Sequence, residues 1–298
     1  MDRYDIIFVG DFGTGAIVPF EGPPFVEPGC PVLFAPIAAS FVGKRIAAVT
    51  RIPEGEKYLL EPLKTAGVDL FVQPGEIARY RVVFPTANVD ERQFFLLKDA
   101  GPFAFSDLPP IEPCLTHLCC MGFPESQLDL MRALKARGFR ISVDMQGFVL
   151  QADDVTGAVF HRDVPEKKEI LATAHFVKLD AKEAQTLTGA EGLQDQADIL
   201  ENWGSSETII TSSEGVLARS EGKTTFAKFT SRRILGRMGR GDTVMGSYLA
   251  RRLDHPVEEA VRFAAALTSI KMESAGPFAG SLDDVMERME RPSPRPGE

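Results

Sequence analysis

Short apolar runs alternate along the chain with longer segments in which apolar positions recur every three to four residues. "YDIIFVGD" (Tyr4–Asp11), "RIAAVTRI" (Arg45–Ile52), "VDLFVQP" (Val68–Pro74), "YRVVFPT" (Tyr80–Thr86), "THLCCMG" (Thr116–Gly122), "FRISVDM" (Phe139–Met145), "AHFVKLD" (Ala174–Asp180) and "ETIITSS" (Glu207–Ser213) read as strands. "GEKYLLEPLKTAG" predicts a helix closing at Gly67, and "ESQLDLMRALKARG" an amphipathic helix closing at Gly138. The βαβα order predicts an α/β fold in which a mostly parallel central sheet is covered by helices on both faces.

Two regions break the alternation. Pro19 to Pro31, "PFEGPPFVEPGCP", carries five prolines and cannot be helical, because each ring removes a donor and clashes with the preceding turn. Residues 75–110 hold short strand-like pieces with little helical period. Together they predict a small β flap, built from segments near 12–31 and 75–110, on a single domain spanning 1–290; "RPSPRPGE" (291–298) reads as a disordered tail. The opening glycines, in "IIFVGDFGTGAIV", do not form a dinucleotide loop. Such a loop needs a helix directly after the turn, and here the prolines follow.

Composition narrows the class. The 298 residues are 44% hydrophobic and 25% charged, which suits a globular protein with a large core. A formal charge of −9 argues against nucleic acid or an anionic membrane as partner, though not against a small anion in a local pocket. Cys30, Cys114, Cys119 and Cys120 show neither metal-site nor disulfide-framework spacing and are expected as reduced thiols. The N-terminus lacks the apolar core of a secretory signal and no run is long enough for a membrane helix, so a cytoplasmic protein is expected. The four histidines show no metal-ligand spacing.

The chemistry concentrates in "LGRMGRGDTVMGSYLARRL" (Leu235–Leu253). Gly236, Gly239 and Gly241 lead into Asp242, and a helical pattern starts at once. Free N–H groups and the dipole at a helix start attract anions. A carboxylate there is out of place if it only binds an anion, and in place if it takes a proton from a hydroxyl attacking a phosphoryl group. The plain alternative is a glycine loop capped by Asp.

"GRMGRGDTVMGSYL" resembles the C-terminal signature of the ribokinase-like (PfkB) carbohydrate kinases, D-T-x-G-A-G-D before a small-residue helix. "PVLFAPIAASFVGKRIAAVTRI", "LKTAGVDL", "ISVDMQG", "VKLDAKEAQTLTG", "TIITSSEGVLAR" and "AVRFAAALTSIKMESAGP" resemble further family segments in the family's order, from about Tyr4 to Arg288. The resemblance implies a three-layer α/β/α fold with a small β lid. It also implies an ATP- and Mg2+-dependent kinase acting on a hydroxyl of a sugar, polyol or nucleoside-like molecule. Asp242 would be the general base, and the amides of Gly239, Arg240 and Gly241 the anion hole. Glu183, with Asp180 in the usual Asn position, would hold magnesium; Ser212 and Gly215 would lie beside the nucleotide. Asp180-x-x-Glu183 could also simply begin a helix, and Ser212 to Gly215 an ordinary turn.

The chain departs from the pattern in places. Gly236-Arg237 replaces the usual D-T, Arg240 the usual Ala, and Gly29-Cys30 the usual Gly-Gly near the substrate. Gly15 stands where the family usually holds sugar hydroxyls with an Asp, which leaves Asp11, with Gly29, as the candidate acceptor contacts. These changes keep open a second reading, a degenerate kinase fold that binds nucleotide or sugar without turnover. Family members often pair through the flap, so a homodimer is an expectation.

Overall fold

The computed structural model describes residues 2–88 and 91–290; the tail expected to be disordered, 291–298, lies outside them. Strand β1 (Ile6–Val9) shows why its sequence carries no polar position. Ile6 and Phe8 enter one hydrophobic cluster and Ile7 and Val9 another, because successive side chains point to opposite faces and both faces are covered. The chain then leaves for β2 (Gly13–Val18) and β3 (Phe25–Pro28). It returns through α1 (Pro31–Ser40) to β4 (Ile46–Ile52), and a 3₁₀ segment (Glu54–Leu60) and α2 (Glu61–Thr65) lead to β5 (Asp69–Pro74). Strands β6 (Ala78–Val83) and β7 (Gln93–Lys98) follow, then β8 (Leu115–Leu118), α3 (Pro124–Lys135) and β9 (Arg140–Asp144). A short helix α4 (Gln146–Val149), a hairpin of β10 (Leu150–Ala152) and β11 (Val159–His161), and α5 (Lys167–Thr173) lead to β12 (Phe176–Asp180). After α6 (Ala181–Thr188) and α7 (Leu193–Asn202) come β13 (Glu207–Thr211), β14 (Gly215–Ser220) and β15 (Lys223–Lys228), and α8 (Arg240–Arg252), α9 (Val257–Met272) and α10 (Leu282–Glu290) close the described chain.

The nine-stranded sheet runs β15-β14-β13-β12-β9-β8-β1-β4-β5, parallel from β13 to β5 with two antiparallel edge strands. Helices α1, α8 and α9 cover one face and α3, α5, α6 and α7 the other. This is the α/β arrangement that the strand and helix order predicts. A second sheet, β3-β2-β6-β7, stands apart from it. The β10–β11 hairpin joins this sheet through a Phe95–Ala158 bridge and a Leu96 N–H bond to the Gly157 carbonyl at 2.8 Å.

Two elements differ from expectation. The helix predicted through residues 55–67 is a 3₁₀ segment followed by a short α-helix. Pro62 has no N–H to give, so the α-helix can only restart with Pro62 in its first turn. The β10–β11 hairpin was not legible, because three residues per strand are too few to show a period.

Candidate active site

Strand β1 lies between β4 and β8, and the chain builds outward from it in both directions, to β5 on one side and β13 on the other. At such a switch point the connections diverge and leave a crevice at the carboxyl ends of the strands. Gly10 follows β1 there; a Cβ at that position would lie 2.7 Å from the Cys119 carbonyl oxygen, so only glycine lets the ends of β1 and β8 close up. Gly13 and Gly15 belong to β2, a strand of the second sheet, which overhangs the crevice. The resulting cleft, about 880 Å3, has Tyr80, Val82 and Phe94 on its overhanging wall and Lys178, Ser212 and Asp242 on its floor.

Helix α8 points its N-terminus into this cleft. Its N-cap, Gly239, has φ +73, and a Cβ there would overlap the Phe34 ring, so a residue with a side chain is excluded twice. The amides of Gly239 and Gly241 donate to no protein acceptor among the described residues. The Arg240 N–H is spent on the Arg237 carbonyl at 3.2 Å. The three-amide anion hole expected from the sequence therefore has two open donors, because the loop closes on itself as a turn at Arg240. Asp242 sits in the first turn of α8, at the cleft floor. Burial raises its carboxyl from the ordinary 3.8 to about 6, with the Lys178 ammonium opposing.

Lys178 and Asp144 form a buried ion pair across β12 and β9, where they are register partners; Nζ lies 3.0 Å from Asp144 Oδ2. Burial would lower the Lys178 pKa, but the carboxylates of Asp144, Glu183 and Asp242 outweigh it and hold the ammonium above its usual range. Gly241 makes room for this charge, since a Cβ there would sit 3.0 Å from Lys178 Nζ. A fixed cation thus lies beside the start of α8. Neither Lys178 nor Asp144 is marked by a site motif in the sequence, although each is a charge inside an otherwise apolar strand.

Asp180 caps α6 by accepting from the amides of Lys182 and Glu183 at 2.8 Å, and Glu183 reaches back to the Asp180 N–H at 2.7 Å. This reciprocal capping box occupies one oxygen of each carboxylate. Both residues also line the cleft. Burial and then the neighbouring charge of Asp180 push Glu183 well above the usual carboxylate range. Among the described residues no three His, Cys, Asp or Glu side chains converge into a cation cage.

Ser212 faces the cleft, whereas Gly215 does not line it. Gly215 opens β14 against the Ala227 carbonyl, and its N–H donates to Ser212 Oγ at 3.2 Å, which makes 212–215 a turn. Gly29 lines the cleft, packed so closely on Met238 that a Cβ would overlap the sulfur. Asp11 does not point beside the α8 terminus. It lies at a smaller, mostly apolar pocket of about 160 Å3 with Tyr80, Phe94, Leu96 and Met121, where it accepts from the Met121 N–H at 3.1 Å and burial raises its carboxyl to about 7. His117 is buried on Ser142 and burial pushes it down to about 3, the structural histidine its spacing suggests. Arg51 and Arg79 are committed to Asp107 and Glu56 respectively.

A cleft at the switch point of a doubly covered sheet, with an anion-receptive helix start, a carboxylate and a buried cation at one end and an overhanging sheet at the other, defines a phosphoryl-handling α/β enzyme. Residues 37–284 match the pfkB family carbohydrate kinase profile, and the chain belongs to that family. It is a carbohydrate or nucleoside kinase of ribokinase-like fold. It is similar to a cytidine kinase of Thermococcus kodakarensis, 25% identical over 269 residues that span 87% of this chain and 92% of that one. A pyrophosphate-dependent kinase of the ribokinase family, solved with a pyrophosphate analogue and myo-inositol, superposes with a TM-score of 0.85 at 27% identity, over 94% of this chain and 99% of that one. The ribokinase of Arabidopsis thaliana, solved with ribose and ATP, shares the fold at a TM-score of 0.72 and 16% identity, over 97% and 99% of the two chains.

Proposed function

We propose that this kinase transfers a phosphoryl group from inorganic pyrophosphate to a hydroxyl of a sugar, cyclic polyol or nucleoside-like acceptor, with Asp242 as general base. The observation that carries the reading is the position of Asp242. It is a carboxylate in the first turn of α8, next to two open amides and the Lys178 cation, in a cleft large enough for both substrates.

In this mechanism the donor's terminal phosphoryl group rests against the Gly239 and Gly241 amides, with Lys178 close by. The acceptor lies under the second sheet and turns one hydroxyl toward Asp242. That hydroxyl oxygen bonds to phosphorus as the bridging P–O bond of the donor breaks; its proton passes to Asp242, and phosphate leaves. The reaction asks mainly for alignment and for positive potential where charge builds on the equatorial oxygens. Asp242 must be ionised to take the proton, and a pKa near 6 leaves it mostly so at neutral pH while keeping it a better base than an exposed Asp. Asp180 and Glu183 each keep one carboxylate oxygen outside the capping box, and their mutual repulsion favours a cation between them and the donor, so they would hold Mg2+ through its waters. When bound, that ion would neutralise charge on the donor oxygens.

Pyrophosphate as donor is supported by the likeness to a pyrophosphate-dependent kinase and by the polar side chains at the α8 end of the cleft, where Lys182, Ser212, Ser213, Arg237 and Arg240 line the wall. ATP is the second reading, favoured by the cleft volume of about 880 Å3, which would admit a whole nucleotide. The cytidine kinase relative supports a nucleoside acceptor and the inositol-bound neighbour a cyclic polyol. Phosphate release from pyrophosphate and ADP release from ATP, each followed against a panel of inositols, sugars and nucleosides, decide both points. Acceptor-dependent release from pyrophosphate alone is expected; release from ATP alone would replace the donor, and release from neither would support the non-catalytic reading.

A further inference from the structure

Behind the anion loop sits a side chain that the mechanism above does not use. Lys271, in the last turn of α9, is fully buried. Its ammonium donates to the Gly236 carbonyl at 2.6 Å and to the Met238 carbonyl, and it lies 4.9 Å from the centre of the Phe34 ring, the same ring that Gly239 packs on. The loop is stitched to the same turn of α9 from its other side, because the amides of Leu235 and Gly236 both donate to the Met272 carbonyl, at 2.9 and 3.1 Å. Gly236 is held so close that a Cβ would overlap the Ser274 carbonyl oxygen.

Two carbonyls and an aromatic face converging on one point form a seat for a cation, since each presents negative potential and none has a donor to offer. We infer that Lys271 is a positioning residue that fills this cation seat with its own ammonium, fixing the Gly236–Gly239 turn so that the amides before Asp242 face the donor without help from a dissolved monovalent ion. Burial pulls the ammonium down to about 8, with Asp242 and Glu27 opposing and Arg237 adding to the fall, so it remains mostly charged at neutral pH. An ammonium tethered to α9 is always present, whereas a dissolved ion must be bound from solution and adds its concentration to the rate. The inference rests on the reading of Gly236–Asp242 as the anion loop, but the seat itself can be tested without any substrate.

The experiment compares wild type, Lys271→Ala and Lys271→Met at pH 7 in choline, potassium and ammonium chloride of equal ionic strength. Thermal melting comes first. Lys271→Ala empties the seat, so its melting temperature is expected to be low in choline and raised by potassium or ammonium. Lys271→Met keeps the apolar stem in the seat and is expected to melt low in all three salts, while wild type melts alike in all three. Turnover comes second. Lys271→Ala is expected to lose about ten-fold or more in kcat in choline, because the loop amides lose their aim, and to recover most of it in ammonium chloride. A Lys271→Ala protein that melts alike in choline, potassium and ammonium overturns the inference, as does a wild type raised by these cations as much as the variant. Absence of turnover in wild type with every donor and acceptor would count against the proposed function and leave the melting result standing.

Discussion

As the proposed base, Asp242 is buried at a cost in stability. Burial disfavours its charged form, so the cost to the fold is absent below the ordinary Asp pKa of 3.8 and complete above about 6. Asp242→Asn should therefore melt higher than wild type at pH 8, by at most about 3 kcal/mol of stability, and the gain should vanish near pH 4. The same substitution should lower kcat by about 10³-fold while the donor still binds, as calorimetry would show. For wild type, kcat/KM should fall about ten-fold per pH unit below pH 6, as Asp242 becomes protonated in the free enzyme, and level off above it. A profile flat from pH 5 to 8 would remove Asp242 from the role of base.

At the scale of elements, the site depends on how closely α8 approaches its neighbours. Gly246 faces the backbone of α1, where a Cβ would overlap the Ala35 carbonyl oxygen. Gly246→Ala should push the two helices apart and cost about 1–3 kcal/mol in urea unfolding, with a loss of turnover because the α8 terminus moves with them. The Lys178–Asp144 pair ties β12 to β9 under that terminus. Lys178→Met alone leaves a buried carboxylate unpaired and should cost about 3–5 kcal/mol, whereas Lys178→Met with Asp144→Leu should recover much of it, as a double-mutant cycle would measure. The elements themselves were largely legible in the sequence. Runs such as Ile6–Val9 and Phe176–Asp180 are apolar because both faces of the sheet are covered, and Gly138 marks the end of its helix with φ +82. The β10–β11 hairpin escaped because its turn is organised by Asp153, which accepts from Val155 and Thr156, rather than by a repeating pattern. In the site, Asp242 and its glycines were legible because their order is unusual. The direction of Asp11 was not, since two residues past the end of β1 a side chain can face either the α8 terminus or the smaller pocket. Lys271 and Lys178 each left a trace, a lysine inside an apolar segment, but only tertiary packing shows which carbonyls or carboxylates they meet.

At the scale of the molecule, function follows from placing two unlike surfaces across one switch point. The rigid nine-stranded sheet holds Asp242, Lys178 and the α8 terminus, and the second sheet brings an apolar wall that can exclude water from the transferring group. That second sheet is tied to the 3₁₀ segment by the Arg79–Glu56 pair, and part of its surface, such as Phe25, Val26 and Leu97, is exposed. Amide exchange in β2, β6 and β7 should accordingly be faster than in β1, β8 and β9 in the free protein, and should slow when donor and acceptor are both bound. Exchange unchanged by substrates would mean that this sheet plays no part in closing the cleft. The central claim, phosphoryl transfer to an alcohol with Asp242 as base, is tested most directly by 31P NMR of the full chain with pyrophosphate, Mg2+ and the acceptor panel, wild type beside Asp242→Asn. A phosphate-monoester resonance that grows with wild type and is missing with Asp242→Asn is the predicted result; a monoester formed at a similar rate by both proteins would contradict it.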